Sequence, residues 1–529
     1  MLSLGISFEN EEEGVEMRPR RRRVLLAGIF VAVLGMLHWG SSAAVTAESK
    51  GIYKIAIHYA PSIDWFDPSI GGPPPAHPVL YVFHDALIKP MPGNWYSPCV
   101  AESWSISTDY KVYEFKLRKG VKFHNGDELT SEDAVFTFQR YKGVSASFLH
   151  RRFEKLEAVN PYLFRVTFKE PTPDFLDYFL PGNSTLGWIV PKKHIEKVGD
   201  AAYKRHPVGC GPYKFVEYNP NLRFVGEAFA DFWRKTPKVR RLEYYPISEE
   251  STRYAKVKRG EVDLSMQLTG QFFATAKKDP EVQVILAESP TAGAVGITSQ
   301  YDPKSPWSDP RIRKAASLAI DRQTIADALR PGAPAIGSIA LKSDPHAVFF
   351  PPDPYDPEGA RKLLAEAGYP KGFHGGKFYT QTGWWDFGDM IANNWKAAGI
   401  NVETLKIERA TFLSMRKGKN LKDSLILDPL GEATIAGRLA FLFEGVFCYA
   451  SYPEIEDLWD KHNKAVDPKV RKDLIGRMQR IIHEKTMCIP VTQTNMIAGS
   501  IPNRVKESPF KVQPLAWWPA PVEDIEMNE

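Results

Sequence analysis

The chain is poor in several features that would narrow its function. It has four cysteines among 529 residues, none in a Cys-x-x-Cys pair. Its 68 basic and 63 acidic residues nearly balance, so the formal charge of +5 does not indicate a nucleic-acid partner. No repeat of fixed period and no long low-complexity segment occurs. What remains is a composition of 43% hydrophobic and 25% charged residues, typical of a folded soluble protein. Its length suffices for more than one core.

Catalytic signatures are also missing. The sequence contains no G-x-S-x-G, no H-E-x-x-H, and no S-x-x-K accompanied by its partner motifs. The glycine pair at Gly209 and Gly211 lacks the spacing of a phosphate-binding loop. The twelve histidines show no metal-ligand spacing. We therefore expect no catalytic residue, no metal and no cofactor, and a secreted hydrolase is only a remote alternative.

The N-terminus has the pattern of a secretory signal. Residues 18–23 contain five arginines, residues 24–37 form an apolar run, and Val45-Thr46-Ala47 is a candidate cleavage site. The apolar run is shorter than the about 20 residues that span a membrane, although an uncleaved anchor is the alternative. We predict a signal peptide over 1–47, in which 1–16 could be an over-extended start. Export by the general or the twin-arginine route stays open.

The cysteines are Cys99, Cys210, Cys448 and Cys488. Four cysteines allow three pairings, and the sequence does not choose among them. In an oxidising compartment a Cys448–Cys488 bond is one option, and buried free thiols are the commoner alternative.

The segment 113–141 is the most informative part of the chain. Residues 113–117 alternate apolar and charged side chains, which predicts a half-buried strand. A turn follows at Asn125-Gly126. Thr130 precedes Asp133 by three residues, and this spacing resembles a capping box that opens a helix.

Other segments predict further elements. A hairpin is expected over 213–227, and a strand, helix and strand over 242–264 favour a parallel sheet. Asp-Pro steps predict helix starts at Asp309, Asp356 and Asp467, because proline is favoured at the first helical position. In the last of these helices a stripe spaced by four residues should be buried: Val470, Leu474, Met478 and Ile482.

The segment 113–141 closely resembles the extracytoplasmic solute-binding proteins of ABC importers, family 5, whose members include oligopeptide-, dipeptide- and nickel-binding proteins. More segments resemble family landmarks in family order: 207–215, 245–247, 259–263, 309–316, 360–368 and 395–402. The resemblance covers essentially the whole chain after the signal.

This resemblance implies an α/β fold of the periplasmic-binding-protein type, with two α/β lobes joined by two crossing strands and an extra subdomain on the first lobe. Lobe I should then comprise 48–90, 188–285 and 491–529. The added subdomain should comprise 91–187, and lobe II 286–490. The segment 113–141 would lie in the added subdomain as a packing element.

The resemblance also indicates where a ligand amine would bind. In oligopeptide-binding relatives, an aspartate shortly after a tryptophan-containing strand of the second lobe holds it. Here the region reads Leu425 to Ala433, without the tryptophan and with a shorter spacing. Asp428 and Glu432 are both candidates, and Asp428 is slightly preferred.

Further candidate ligand residues come from strand ends. Trp384 and Trp385 follow a predicted strand, and one of them should line the cleft because adjacent side chains cannot both enter one core. Arg409 could bind a ligand carboxylate bidentately. Trp65 and Asp67 follow the first strand in lobe I. Each of these residues could instead be an ordinary core or surface residue.

The predicted function is that of a periplasmic substrate-binding protein. It would capture a small peptide or peptide-like solute by lobe closure and deliver it to ABC permease subunits in the inner membrane. We expect a monomer without enzymatic activity. Nickel chelates, opines, sugars and glutathione are alternative ligands, and a chemoreceptor-coupled or chaperone-like binder is an alternative role.

Overall fold

The computed structural model describes residues 49–528 except 71–75, 144, 181–182, 221, 444–451, 513–514 and 516. The predicted signal peptide and Cys448 lie outside the described residues, so neither the signal nor a Cys448–Cys488 bond is tested. Cys99, Cys210 and Cys488 are buried free thiols.

Sixteen strands form three sheets in the described part of the chain. They are β1 (Lys50–Ile57), β2 (Ile88–Met91), β3 (Asn94–Pro98), β4 (Ala101–Ile106), β5 (Val112–Leu117), β6 (Phe153–Asn160), β7 (Leu163–Phe168), β8 (Tyr213–Asn219), β9 (Arg223–Ala228), β10 (Val239–Pro246), β11 (Leu264–Ser265), β12 (Gln283–Ile297), β13 (Phe373–Gln381), β14 (Ile400–Ile407), β15 (Ser424–Leu430) and β16 (Cys488–Ser500).

Fifteen α-helices are present over the same residues. They are α1 (His77–Phe83), α2 (Ser131–Arg140), α3 (Ala146–Arg152), α4 (Lys192–Val198), α5 (Asp200–Arg205), α6 (Glu250–Lys258), α7 (Gly270–Ala276), α8 (Pro310–Leu318), α9 (Arg322–Leu329), α10 (Pro357–Glu366), α11 (Trp385–Ala397), α12 (Arg409–Lys417), α13 (Ile435–Phe443), α14 (Pro453–Lys464) and α15 (Pro468–Glu484). None of the described helices is long and apolar enough to cross a membrane.

The largest sheet has ten strands in the order β14-β13-β15-β12-β16-β11-β1-β10-β9-β8. Strands β12 and β16, the fourth and fifth in this order, are long and antiparallel, and they pair from Gln283–Ser500 to Gly296–Cys488. We call the part built on β1 and β8–β11 lobe I, and the part built on β13–β15 lobe II. The two crossing strands connect these lobes, so the expected α/β fold class is confirmed.

Lobe I is organised around a parallel trio of strands. Strand β1 pairs in parallel with β10 on one side and with β11 on the other. The carboxyl ends of these strands therefore share one edge of the sheet. The C-terminal segment also packs into the lobe I core, where Trp518 stacks on His77 at a ring distance of 5.1 Å.

The added subdomain is an antiparallel sheet in the order β4-β5-β7-β6, with α2 packed on one face. The predicted capping box is present, because the Thr130 N–H donates to Asp133 Oδ2 at 2.9 Å. Phe138 of α2 packs edge-on against Phe164 of β7 at 4.8 Å. Buried and less buried side chains alternate along β5, and its aromatic side chains lie in the same core as this helix.

Lobe II also has a parallel core, because β13 pairs in parallel with both β14 and β15. Its long helix α15 begins at the predicted Asp-Pro step and buries Leu474, Met478 and Ile482. The prediction that Val470 belongs to this stripe is wrong, since its side chain is 48% exposed. It lies in the first turn of the helix, before the helix packs against its neighbours.

Candidate functional site

The two lobes present the carboxyl ends of their parallel strands to each other. In lobe I, His58 and Tyr59 directly follow β1. In lobe II, Arg409 follows β14 and Glu432 follows β15. The two edges interact electrostatically, because the charge of Arg409 lowers the pKa of both Tyr59 and His58. Open α/β sheets bind ligands at such an edge.

The lobe I edge is aromatic and largely desolvated. Tyr59 contacts His58 at a ring distance of 4.8 Å and Trp65 at 5.8 Å, both edge-on. Burial, assisted by the charges of Arg253 and Arg409, lowers the pKa of His58 to about 3, so the imidazole is neutral. Its Nδ1 is buried and has no hydrogen-bond partner among the described residues. Trp65 is half-buried and forms one wall of this edge.

Arg409 is the first residue of α12, and its side chain is exposed to solvent. Partial burial of its guanidinium still lowers the pKa of Arg409, while Tyr59 and Glu408 oppose the shift. Arg409 is therefore a cation in the cleft between the lobes, as an arginine that receives an anionic ligand group would be.

Asp428 lies within β15, and only 2% of its surface is exposed. Its carboxylate forms a buried ion pair with Arg416 of α12. Burial raises the pKa of Asp428, and Arg416 opposes that rise. The carboxylate is thus already neutralised by a partner in its own lobe.

Glu432 lies in the turn between β15 and α13. Its Oε2 is buried without a hydrogen-bond partner in the described structure. Burial raises the pKa of Glu432 to about 7. A hydrogen bond from its own backbone N–H and the charges of Arg438 and Arg416 oppose the rise, and Asp428 adds to it. Glu432 therefore has an acceptor that no described protein group satisfies.

Arg438 fixes the turn that holds Glu432. This fully buried arginine donates through Nε to the Glu432 carbonyl at 2.9 Å. Its other nitrogens donate to the carbonyls of Ile339 and Pro290, the latter on the crossing strand β12. Burial lowers the pKa of Arg438 to about 10. The turn is thereby attached to the strand that connects the lobes.

The two adjacent tryptophans have different surroundings. Trp384 is 8% exposed and packs in the lobe II core, 4.8 Å from the Phe387 ring and directly over Gly293 of β12. Trp385 begins α11 and is half-buried. Its indole Nε1 is buried and makes no hydrogen bond with any described group. Trp384 is therefore a packing residue, and Trp385 is the better placed of the two for a ligand.

Asp67 does not share the environment of Trp65. It is fully buried, and both of its oxygens accept from Arg140 of α2, at 2.7 and 2.9 Å. The same arginine also binds Asp200. Asp67 thus joins the added subdomain to lobe I, and its carboxylate is committed to that ion pair.

Several residues at the site were not singled out from the sequence. His58 and Tyr59 follow the first strand directly, a position that could have identified them. Arg416 and Arg438 gave no such signal, because only the folded chain brings these helical arginines beside β15. No cluster of three potential metal ligands occurs among the described residues.

The comparisons with known proteins agree with this architecture. Residues 96–424 match the family model of the bacterial extracellular solute-binding proteins, family 5, middle part. The chain belongs to this family. The family resemblance of the sequence is thereby confirmed, and so is a solute-binding role.

Two relatives and one solved structure illustrate the similarity. Heme-binding protein A of Haemophilus influenzae is 28% identical over 476 residues, covering 78% of this chain and 82% of the relative. Di/tripeptide-binding protein 2 of Pseudomonas aeruginosa is 25% identical over 531 residues, covering 91% and 96%. The structure of the ABC transporter substrate-binding protein CtaP of Listeria monocytogenes superposes with a TM-score of 0.79, covering 91% of this chain and all of that one. At 19% identity, this similarity shows a shared fold and nothing more.

Proposed function

We propose that this family member is the periplasmic substrate-binding component of an ABC importer and that it binds a small peptide or peptide-like solute. It captures the solute between its lobes and delivers it to permease subunits in the inner membrane. It is a monomer without catalytic activity, exported by the N-terminal signal over residues 1–47. The similarity to a di/tripeptide-binding protein supports the ligand class.

The observation that supports this proposal most is the unsatisfied carboxylate oxygen of Glu432. A carboxylate with a buried, unsatisfied oxygen is suited to a ligand ammonium group, whereas Asp428 already pairs with Arg416. We therefore assign the amine to Glu432, reversing the slight preference for Asp428 that the sequence suggested. Arg409 takes a ligand carboxylate, and Trp65 and Trp385 form aromatic walls.

We further propose the lobe boundaries expected from the sequence. Lobe I comprises 48–90, 188–285 and 491–529, the added subdomain 91–187, and lobe II 286–490. The proposed lobe boundaries at 285/286 and 490/491 fall within the crossing strands β12 and β16.

A thermal-shift screen tests the ligand class. Di- to pentapeptides should raise the unfolding temperature, because a ligand that binds only the native state stabilises it. In the matched Glu432→Gln variant, which preserves the side-chain shape, the shift should shrink strongly. A response restricted to sugars, opines or metal chelates would reject the peptide assignment, and turnover of the peptides would favour the hydrolase alternative.

A further inference from the structure

The added subdomain contacts lobe II close to Glu432, and Asn183 takes part in this contact. Asn183 follows the 3-10 helix Phe175–Phe179, and its Nδ2 donates to the Asp177 carbonyl at 3.0 Å. The same nitrogen lies 3.5 Å from Thr434 Oγ1 in lobe II. Because a carbonyl can only accept, these contacts fix the amide orientation and identify the other amide atom as Oδ1.

Asn183 Oδ1 and the Glu432 side chain lie against the same glycine. A Cβ on Gly437 would be 2.9 Å from Asn183 Oδ1 and 3.2 Å from Glu432 Cβ. Both Asn183 Oδ1 and Glu432 Oε2 are buried, and neither accepts a hydrogen bond from the described protein. A buried acceptor without a donor is unfavourable, so this pair of acceptors favours a group rich in donors.

We propose that Asn183 is a specificity-determining residue for the ligand amine, accepting a hydrogen bond from a ligand ammonium group that Glu432 Oε2 also binds. An ammonium group offers three donors and no acceptor, and it therefore complements two acceptors. This inference rests on the proposed peptide-binding function. It gives the added subdomain, which the sequence suggested to be a packing element, a direct part in recognition.

A clasp holds the added subdomain and lobe II together beside Asn183. Asp174 forms an ion pair with Arg471 of α15 and lies 3.8 Å from His462 Nδ1 of α14. Tyr96 donates to Asp177 Oδ1 at 2.5 Å and fixes the intervening 3-10 helix. Opening of the lobes would break the Asp174–Arg471 contact and withdraw Asn183 from Glu432. Both acceptors can therefore bind the ligand amine only in the closed protein.

Calorimetric titration of the full-length mature protein tests this role with three probes: trialanine, N-acetyl-trialanine and N-acetyl-Ala-Ala-Lys. The wild-type protein should prefer trialanine over its acetylated form. Asn183→Ala should lower that preference by about tenfold, the usual effect of losing a hydrogen bond to a charged group. The matched control Asp174→Asn breaks the clasp but keeps Asn183. It should weaken both peptides by the same factor, because both bind the closed protein and the variant lowers the population of that state.

Equal weakening of trialanine and N-acetyl-trialanine by Asn183→Ala would show a purely structural role and overturn the inference. A preference that falls in Glu432→Gln but not in Asn183→Ala would also overturn it while leaving the proposed function intact. Failure of the wild-type protein to bind all three probes would reject both. If N-acetyl-Ala-Ala-Lys binds as trialanine does, and Asn183→Ala weakens it equally, the pair Asn183 and Glu432 accepts either an α-ammonium or a lysine ammonium, which supports the inference.

Discussion

At the scale of single residues, surroundings decide what a carboxylate can do. Asp428 and Glu432 are four positions apart, and both are largely desolvated. Asp428 meets Arg416, whereas Glu432 Oε2 meets no donor in the described structure. One carboxylate is therefore part of the protein's own ion-pair network, and the other keeps a buried oxygen without a donor from the described protein.

Glu432 should make peptide binding depend on pH. Its pKa of about 7 in the unliganded protein means that it holds a proton below this value and cannot then accept from an ammonium group. The ionised fraction of Glu432 falls about tenfold from pH 8 to pH 6, while a peptide α-amine of pKa about 8 gains protons, so the affinity should fall by about fivefold. Calorimetry across this range measures the effect, and Glu432→Gln should bind weakly and show no such fall. A wild-type profile that stays flat would contradict the assignment.

The same shift affects the stability of the unliganded protein. The folded-state pKa of Glu432 lies above its ordinary value of 4.5, so the folded state binds the proton more tightly than the unfolded state. This contribution to stability is fully present below pH 4.5 and is lost as the pH rises to about 7. Glu432→Gln should remove this component of the pH dependence.

Two glycines provide a matched test of packing. A Cβ at Gly293 would lie 2.7 Å from the Trp384 ring, which the core holds in place. Gly293→Ala should therefore lower the free energy of unfolding by about 1–3 kcal/mol. Gly476 lies inside α15, and a Cβ there would meet only ordinary contacts at 3.5–3.7 Å. Gly476→Ala should raise stability by about 0.5–1 kcal/mol. Urea denaturation measures both, and equal effects would refute the packing argument.

At the scale of elements, local chemistry sets where helices begin. The Asp-Pro steps at Asp309, Asp356 and Asp467 all open helices, with the aspartate as N-cap. These starts were predictable because proline preselects the helical backbone and the carboxylate satisfies free N–H groups nearby. Burial of individual positions was less predictable: Val470 is exposed, because the packing of α15 against its neighbours decides which turns are covered.

Asp467 should contribute measurably to stability. Its Oδ1 accepts from the N–H groups of Lys469 at 2.7 Å and Val470 at 3.4 Å. Asp467→Ala should lower the free energy of unfolding by about 1 kcal/mol, whereas Asp467→Asn keeps the cap and should lose much less. Thermal denaturation of the two variants provides the comparison. If Asp467→Asn lost as much stability as Asp467→Ala, the negative charge of Asp467 would matter more than its hydrogen bonds as a cap.

At the scale of the whole molecule, one ten-stranded sheet extends through both lobes, because the crossing strands belong to it. Both lobes place the carboxyl ends of their parallel strands at the cleft, and the clasp Asp174–Arg471 closes it from the added subdomain. Closure should therefore bury the ligand between Glu432 and the lobe I edge.

Weakening the clasp should speed ligand release. Asp174→Asn should raise the dissociation rate of trialanine about two- to tenfold and shift small-angle scattering toward a more extended ligand-free protein, because the closed state loses an ion pair. Asp473→Asn, an exposed residue of α15, is the matched control and should change neither. Unchanged dissociation in Asp174→Asn would mean that the clasp does not govern closure.

The sequence by itself determined the family and the fold class through its resemblance to family segments. It also determined most element starts, because these depend on periodicity, turn residues and caps that act over a few positions. Only the tertiary structure decided which carboxylate is unsatisfied, that Trp384 packs over Gly293, and that Asn183 and Glu432 pack against the same glycine. Those relations join residues far apart in the chain, and their energies depend on burial and on partners that no local pattern encodes.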